Sequence, residues 1–207
     1  MLALLSLPLA LAIDNGLGLR PPLGWRSYNA FGGSPTQAVM EEMMVAMVDK
    51  SRSVDGVPTS LLELGYAHVG LDGGWNRCFA ENGTFHWASD GRPVWNDAFP
   101  DPKGMVAELK QMGVELMISP YFYSVTAQSK NYPLALSEGL LVLDPVTKTP
   151  AKGAYGNAII YDLFNPKARD YAWAAVEAGY IKPYGLHHWW LDCDEPCGHS
   201  KSMGSLL

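Results

Sequence analysis

Apolar positions in this chain follow two periods in turn. Met40, Met43, Met44, Met47 and Val48 recur at helical spacing, which predicts an amphipathic helix with a core-facing stripe. Ser34 stands at its expected cap, with Pro35 in the first turn and Gln37 reaching back as in a capping box. "KSRSVDGVP" breaks the period and reads as a loop, after which "TSLLELG" resumes the helix and Gly65 ends it. "YAHVGLD", residues 66–72, is a short buried strand. A long loop of glycine, asparagine and aromatics leads to a helix over 102–112, with Met105, Leu109 and Met112 inward and Gly113 as its stop. "VELMISPYF" is the next strand. A second long loop ends at Asn165 and Pro166, which start a helix bearing Ala168, Tyr171, Ala172, Ala175 and Val176 on one face. "LHHWWLD" is the strand that helix feeds.

With a first strand in "PLGWRSYN", the order is β-α-β-α-β-α-β, which implies parallel strands joined by right-handed crossovers. Each strand ends in a polar residue and a long connection: Asn29, Asp72, the segment from Tyr121 to Tyr123, and Asp192. That arrangement predicts an α/β fold, a partial (β/α)8 TIM barrel of about the first four β/α units, with all four ends at one mouth. A doubly wound open sheet is the alternative, but no glycine-rich phosphate loop follows the first strand. No repeat or low-complexity linker divides the chain, so residues 13–207 read as one incomplete barrel domain.

Composition narrows the partners. Of the 207 residues 48% are hydrophobic, and the net charge of -6 comes without any Lys/Arg block; nucleic acid and anionic membrane surfaces are therefore not expected partners. Seven Trp and ten Tyr are many for this length, a bias common where sugars bind but also met in cores that aromatics simply fill. "MLALLSLPLALA" is too short to span a bilayer and reads as a signal peptide over residues 1–12. The sequon Asn82-Gly83-Thr84 agrees with a secreted or lysosomal/vacuolar location. Cys78, Cys193 and Cys197 permit one disulfide and leave their pairing open. No Cys/His set stands at zinc-ligand spacing, so no metal or cofactor is expected.

The densest chemistry is "HHWWLDCDEPCG", where Asp192, Asp194 and Glu195 close an apolar strand. Carboxylates packed this tightly repel one another and resist desolvation, so either the strand surfaces here or a ligand uses them. A metal site of His187, His188, Asp192 and Asp194 is disfavoured, because adjacent residues of a strand face opposite ways. The same alternation assigns at least one of Trp189 and Trp190 to packing. His68, on an apolar strand, reads as a hydrogen-bonded core histidine.

Three segments resemble glycoside hydrolase family 27, the α-galactosidases and α-N-acetylgalactosaminidases. They are "PPLGWRSYNAFGG", "LGYAHVGLDGGW" and "DGRPVWNDAFPDPKGMVAELKQMGVELMISPY", together covering residues 21 to 123 or so. The later segments "GLLVLDPVTKTP", "DLFNPKARDYAW" and "HHWWLDCDEP" resemble the related family 31, the α-glucosidases and α-xylosidases. Either resemblance implies a barrel glycosidase with a retaining mechanism, which needs two carboxyl groups about 5 Å apart. It makes Asp192 the nucleophile at the end of the fourth strand and takes the acid/base from a later strand, so no residue here is nominated for that role. It further implies substrate contacts from Trp25, Asp72, Trp75, Tyr121, Trp190, Asp194 and Glu195.

Three positions depart from the family 27 pattern. Gly73 stands where a second aspartate is expected, Arg26 replaces an asparagine, and Trp190 replaces a lysine, the last as family 31 prefers. The leading expectation is an α-galactosidase-like hydrolase of terminal α-linked sugars. The alternatives are an α-glucosidase-like family 31 hydrolase and a sugar-binding remnant that does not catalyse.

Overall fold

The computed structural model describes residues 16, 18–76, 88–122, 124–153 and 158–192. The expectations for residues 1–12, Cys78, Asn82, Cys193, Asp194, Glu195 and Cys197 lie outside these.

Four strands make the central sheet: β1 (Leu23–Arg26), β4 (Tyr66–Leu71), β5 (Glu115–Ile118) and β8 (His188–Trp189). They pair in that order, every pair parallel. This is the expected run of four strands, all C-terminal ends on one side. Helices α2 (Gln37–Val48), α3 (Pro102–Met112) and α5 (Pro166–Val176) fill the connections.

The main core lies between the sheet and these helices. Met40, Met44 and Met47 from α2 and Met105, Val106 and Leu109 from α3 meet Val69, Leu71, Leu116 and Ile118 from the strands. Alternation along the strands sends the intervening residues to the opposite face. That face carries Arg26, His68, Asp72, His188 and Trp190, whose contacts with one another confirm the assignment.

Several local expectations are corrected. Thr36, not Ser34, caps α2: its side chain accepts from the Val39 amide at 3.3 Å. Gln37 does not reach back; it donates to Glu41 and accepts from the Asp101 amide. "KSRSVDGVP" is a hairpin, β2 (Ser53–Val54) against β3 (Val57–Pro58). Its turn residues Asp55 and Gly56 both have positive φ, 50° and 81°, the geometry that an Asp-Gly pair favours. "TSLLELG" forms a single 3-10 turn, Leu62–Leu64, rather than a resumed helix. Ser60 and Glu63 satisfy each other's amides there, a capping box in a short turn. Asn29 sits in a one-turn helix, α1 (Tyr28–Phe31), not at a strand end.

The second long connection has structure of its own. β6 (Ser124–Thr126) pairs antiparallel with β7 (Ala158–Ile160), and α4 (Tyr132–Ser137) lies between them in sequence. Val125, Ala135, Leu140, Leu141, Ile159 and Tyr161 join Ala168 and Ala172 of α5 in a second small core. After α5 the chain widens into a π-helical turn, Glu177–Ile181, and a last short helix, α6 (Lys182–Tyr184).

Candidate active site

The C-terminal ends of β1, β4, β5 and β8 are tied together by side chains. Arg26, the last residue of β1, is in register with Gly70 of β4. A side chain at position 70 would stand only 3.1 Å from Arg26 Cγ, so the missing Cβ is what lets the arginine lie across the neighbouring strand. Its Nη2 then donates to Asp72 Oδ2 at 2.8 Å. The other carboxylate oxygen accepts from the Gly73 amide at 2.7 Å, and the Asp72 amide donates to Ser27 Oγ at 3.0 Å. Asp72 is thereby fixed from three sides and half-buried. Both its oxygens keep lone pairs for an incoming hydroxyl.

From the far edge of the sheet Trp190 meets the same guanidinium. Arg26 Cζ stands 3.2 Å from the centre of the Trp190 ring, a cation–π contact. The Trp190 amide donates to Ile118 O, and Ser119 Oγ donates to Trp190 O at 3.1 Å, holding the segment after β8 against the end of β5. Trp190 nevertheless remains 40% exposed, so part of its ring is open to a ligand. Arg26 Nη1 is buried without a hydrogen-bond partner among the described residues, which costs about 1–3 kcal/mol.

Asp192 follows Trp190 by two positions and is half-buried. The structure brings Asp72 and Trp190 to one end and one face of the sheet, with Asp192 two residues further along the chain.

The other nominated aromatics lie elsewhere. Trp25 packs against the helix-side core and edge-on to Phe31 at 6.1 Å, the opposite face from Arg26 and Asp72. Trp75 is fully buried; its Nε1 donates to Ser119 O at 3.1 Å, and its ring meets Trp95 and Tyr180. It supports the loop after β4 and offers no surface to a sugar. Tyr121 is buried at a φ of 46°, a left-handed conformation uncommon for a residue with a Cβ. It shapes the turn after β5.

Residues that were not nominated also stand near the mouth. Asp90, Arg92, Phe122, Tyr161 and Tyr180 line a hollow beside Pro120, just past β5. Arg92 Nε lies 3.1 Å from Asp90 Oδ2, and the Tyr180 hydroxyl donates to Pro93 O. Burial pushes the Tyr161 phenol above its ordinary value, with smaller contributions from Tyr171 and Asp90. On the same face of the sheet His68 contacts Leu23 O at 3.2 Å and stands edge-on to His188. Among the described residues no three His, Cys, Asp or Glu side chains converge as a metal site would require.

Residues 41–205 match the model of the glycosyl hydrolases family 31 TIM-barrel domain. The chain belongs to glycosyl hydrolase family 31. The match spans the second and third of the segments that resemble family 27 as well as the later ones, so the family 27 assignment gives way to family 31. The chain is 34% identical over 113 residues to "Uncharacterized family 31 glucosidase ORF2" of Pseudescherichia vulneris, covering 54% of this chain and 21% of that protein. It is 40% identical over 76 residues to "Probable alpha-galactosidase D" of Aspergillus fumigatus, covering 36% of this chain and 10% of the relative. A family 31 α-xylosidase from a soil metagenome superposes with a TM-score of 0.59 at 23% identity, covering 87% of this chain and 23% of that one. At that identity the likeness shows the barrel fold alone. The chain thus spans about a fifth of the length of the first of these family 31 proteins.

Proposed function

We propose that this chain supplies the first four β/α units of the catalytic barrel of an α-glucosidase-like family 31 hydrolase, acting on terminal α-linked sugars with retention of configuration. The observation that carries this reading is the convergence of Asp72 and Trp190 on the Arg26 guanidinium at the C-terminal ends of the parallel strands. A (β/α) barrel keeps its active site at that end.

In this mechanism Asp192 is the nucleophile. Its carboxylate attacks the anomeric carbon, the glycosidic oxygen leaves with a proton from an acid/base group, and water then hydrolyses the glycosyl ester. A nucleophile fixed just past a strand is held for in-line attack. Asp72 accepts hydrogen bonds from ring hydroxyls, and Trp190 packs its open ring against the apolar face of the sugar. The second carboxyl group comes from outside the four units. With Gly73 in place of a second acceptor, the galactose-type contacts are incomplete, which favours glucose- or xylose-configured sugars over galactose.

The test is turnover of nitrophenyl α-glucoside, α-xyloside and α-galactoside, with Asp192→Ala as control. Turnover of the first two that falls by several orders of magnitude in Asp192→Ala supports the reading. Undiminished turnover in that variant removes Asp192 as nucleophile. Saturable sugar binding without turnover favours a sugar-binding role instead.

A further inference from the structure

Arg26 has no part in the chemistry above, yet it touches both proposed sugar contacts. We infer that Arg26 is a positioning residue that couples Asp72 to Trp190, so that the hydrogen-bonding and stacking contacts to one sugar are set together. The inference rests on the glycosidase reading and adds to it a residue that sets how well the sugar is held.

The physical case starts with geometry. Asp72 is at the end of β4 and Trp190 just past β8, with β5 between them in the sheet. Both are held by one guanidinium reaching from β1. A guanidinium suits this because it is planar and forked: an edge donates to a carboxylate while a face lies on an aromatic ring. The Arg26 Nη2 bond of 2.8 Å and the 3.2 Å stack use those two features at once. A lysine carries the same charge but has no plane to stack and no fork to fix direction.

The surroundings favour this geometry over a loose surface pair. Gly70 leaves open the path of the arginine stem. The Gly73 amide donates to the carboxylate oxygen that Arg26 leaves free, and the Asp72 amide donates to Ser27 Oγ, so both the carboxylate and the backbone of Asp72 are held. Ser119 holds the Trp190 carbonyl, which leaves the ring as the part that Arg26 orients. A ligand oxygen that meets Asp72 and a ring face that meets Trp190 therefore encounter two groups with one common reference point.

The test compares the wild-type chain with Arg26→Lys, Arg26→Ala, Asp72→Asn and the double variant Arg26→Ala/Asp72→Asn. Binding of nitrophenyl α-glucoside and α-xyloside is followed by calorimetry. Iodide quenching of Trp190, taken as the difference from a Trp190→Phe reference, is read without ligand. The expected result is a tenfold or greater loss of affinity in Arg26→Ala, incompletely rescued by Arg26→Lys, and greater iodide access to Trp190 in both. The Arg26→Ala loss should shrink to less than threefold in the Asp72→Asn background, because the residue acts through Asp72. Unfolding midpoints within a few degrees of wild type separate this from global damage. Where a variant fails to fold, Arg26→Lys carries the comparison alone. Affinity equal to wild type in both Arg26 variants, or losses that add fully in the double variant, overturns the inference while leaving the glycosidase reading intact. A wild-type chain that binds neither sugar removes the glycosidase reading and the positioning role with it, and unchanged quenching in the Arg26 variants overturns the coupling independently.

Discussion

Gly70 decides whether Arg26 can cross from β1 to Asp72. A methyl group there would sit 3.1 Å from Arg26 Cγ and 3.3 Å from Trp25 O, and only the arginine stem can give way. Gly70→Ala is expected to cost about 1 kcal/mol in urea unfolding and to weaken the Asp72 bond at the same time. Trp75 is a different case: its ring is sealed in the core and its N–H satisfies Ser119 O. Trp75→Phe leaves that carbonyl unpaired and a void beside Trp95 and Tyr180, with an expected loss of about 3 kcal/mol by the same measurement. Neither role was readable from the residue name. The family resemblance implied sugar contacts for both Trp25 and Trp75, whereas strand parity and burial assign both to packing. Arg26 could have been found: it is the only charged residue in "PPLGWRSYN", two positions from a glycine on the strand face that Asp72 shares.

At the level of elements, caps and stops were the most legible signals. Asn165 caps α5 by accepting from the Lys167 amide at 3.0 Å, with Pro166 in the first turn as the sequence indicates. Asn165→Ala should cost about 1 kcal/mol, read as a lowered thermal midpoint. Gly113 ends α3 at a φ of 80°, again as expected. The hairpin of β2 and β3 escaped the periodicity reading because two-residue strands are too short to show alternation. The Asp55-Gly56 turn carried the signal instead. The β6–β7 insert was missed for another reason: its strands pair across more than thirty intervening positions, and only the second core under α5 makes them worth forming. The parallel order of β1, β4, β5 and β8 was legible, since a helix of clear period, α2, α3 or α5, lies between each strand and the next.

One face of the whole sheet carries two chemically distinct clusters. Asp72 and Trp190 meet in one, and the His68–His188 contact, with ring centres 5.0 Å apart, makes the other. Desolvation holds the His188 imidazole below its ordinary value of 6.5; His68 adds to this, Glu115 opposes it, and His187 and Lys110 contribute weakly in the same direction as His68. A histidine whose proton is bound less readily in the folded chain favours unfolding as it titrates. Its contribution is therefore present above pH 6.5 and lost as the pH falls from there. Urea midpoints measured from pH 8 to pH 5 should decline on the acid side, and His188→Gln should flatten that decline.

The bridge through Arg26 also has a kinetic consequence. Arg26 ends the first strand of the sheet and Trp190 follows the last, so the stack on Trp190 cannot form until nearly the whole described chain has been synthesised and gathered in. Contacts between such distant stretches pay their loop-closure entropy late. In refolding, emission from Trp190 should thus settle after the helical signal has recovered, making the indole an internal clock for completion of the mouth.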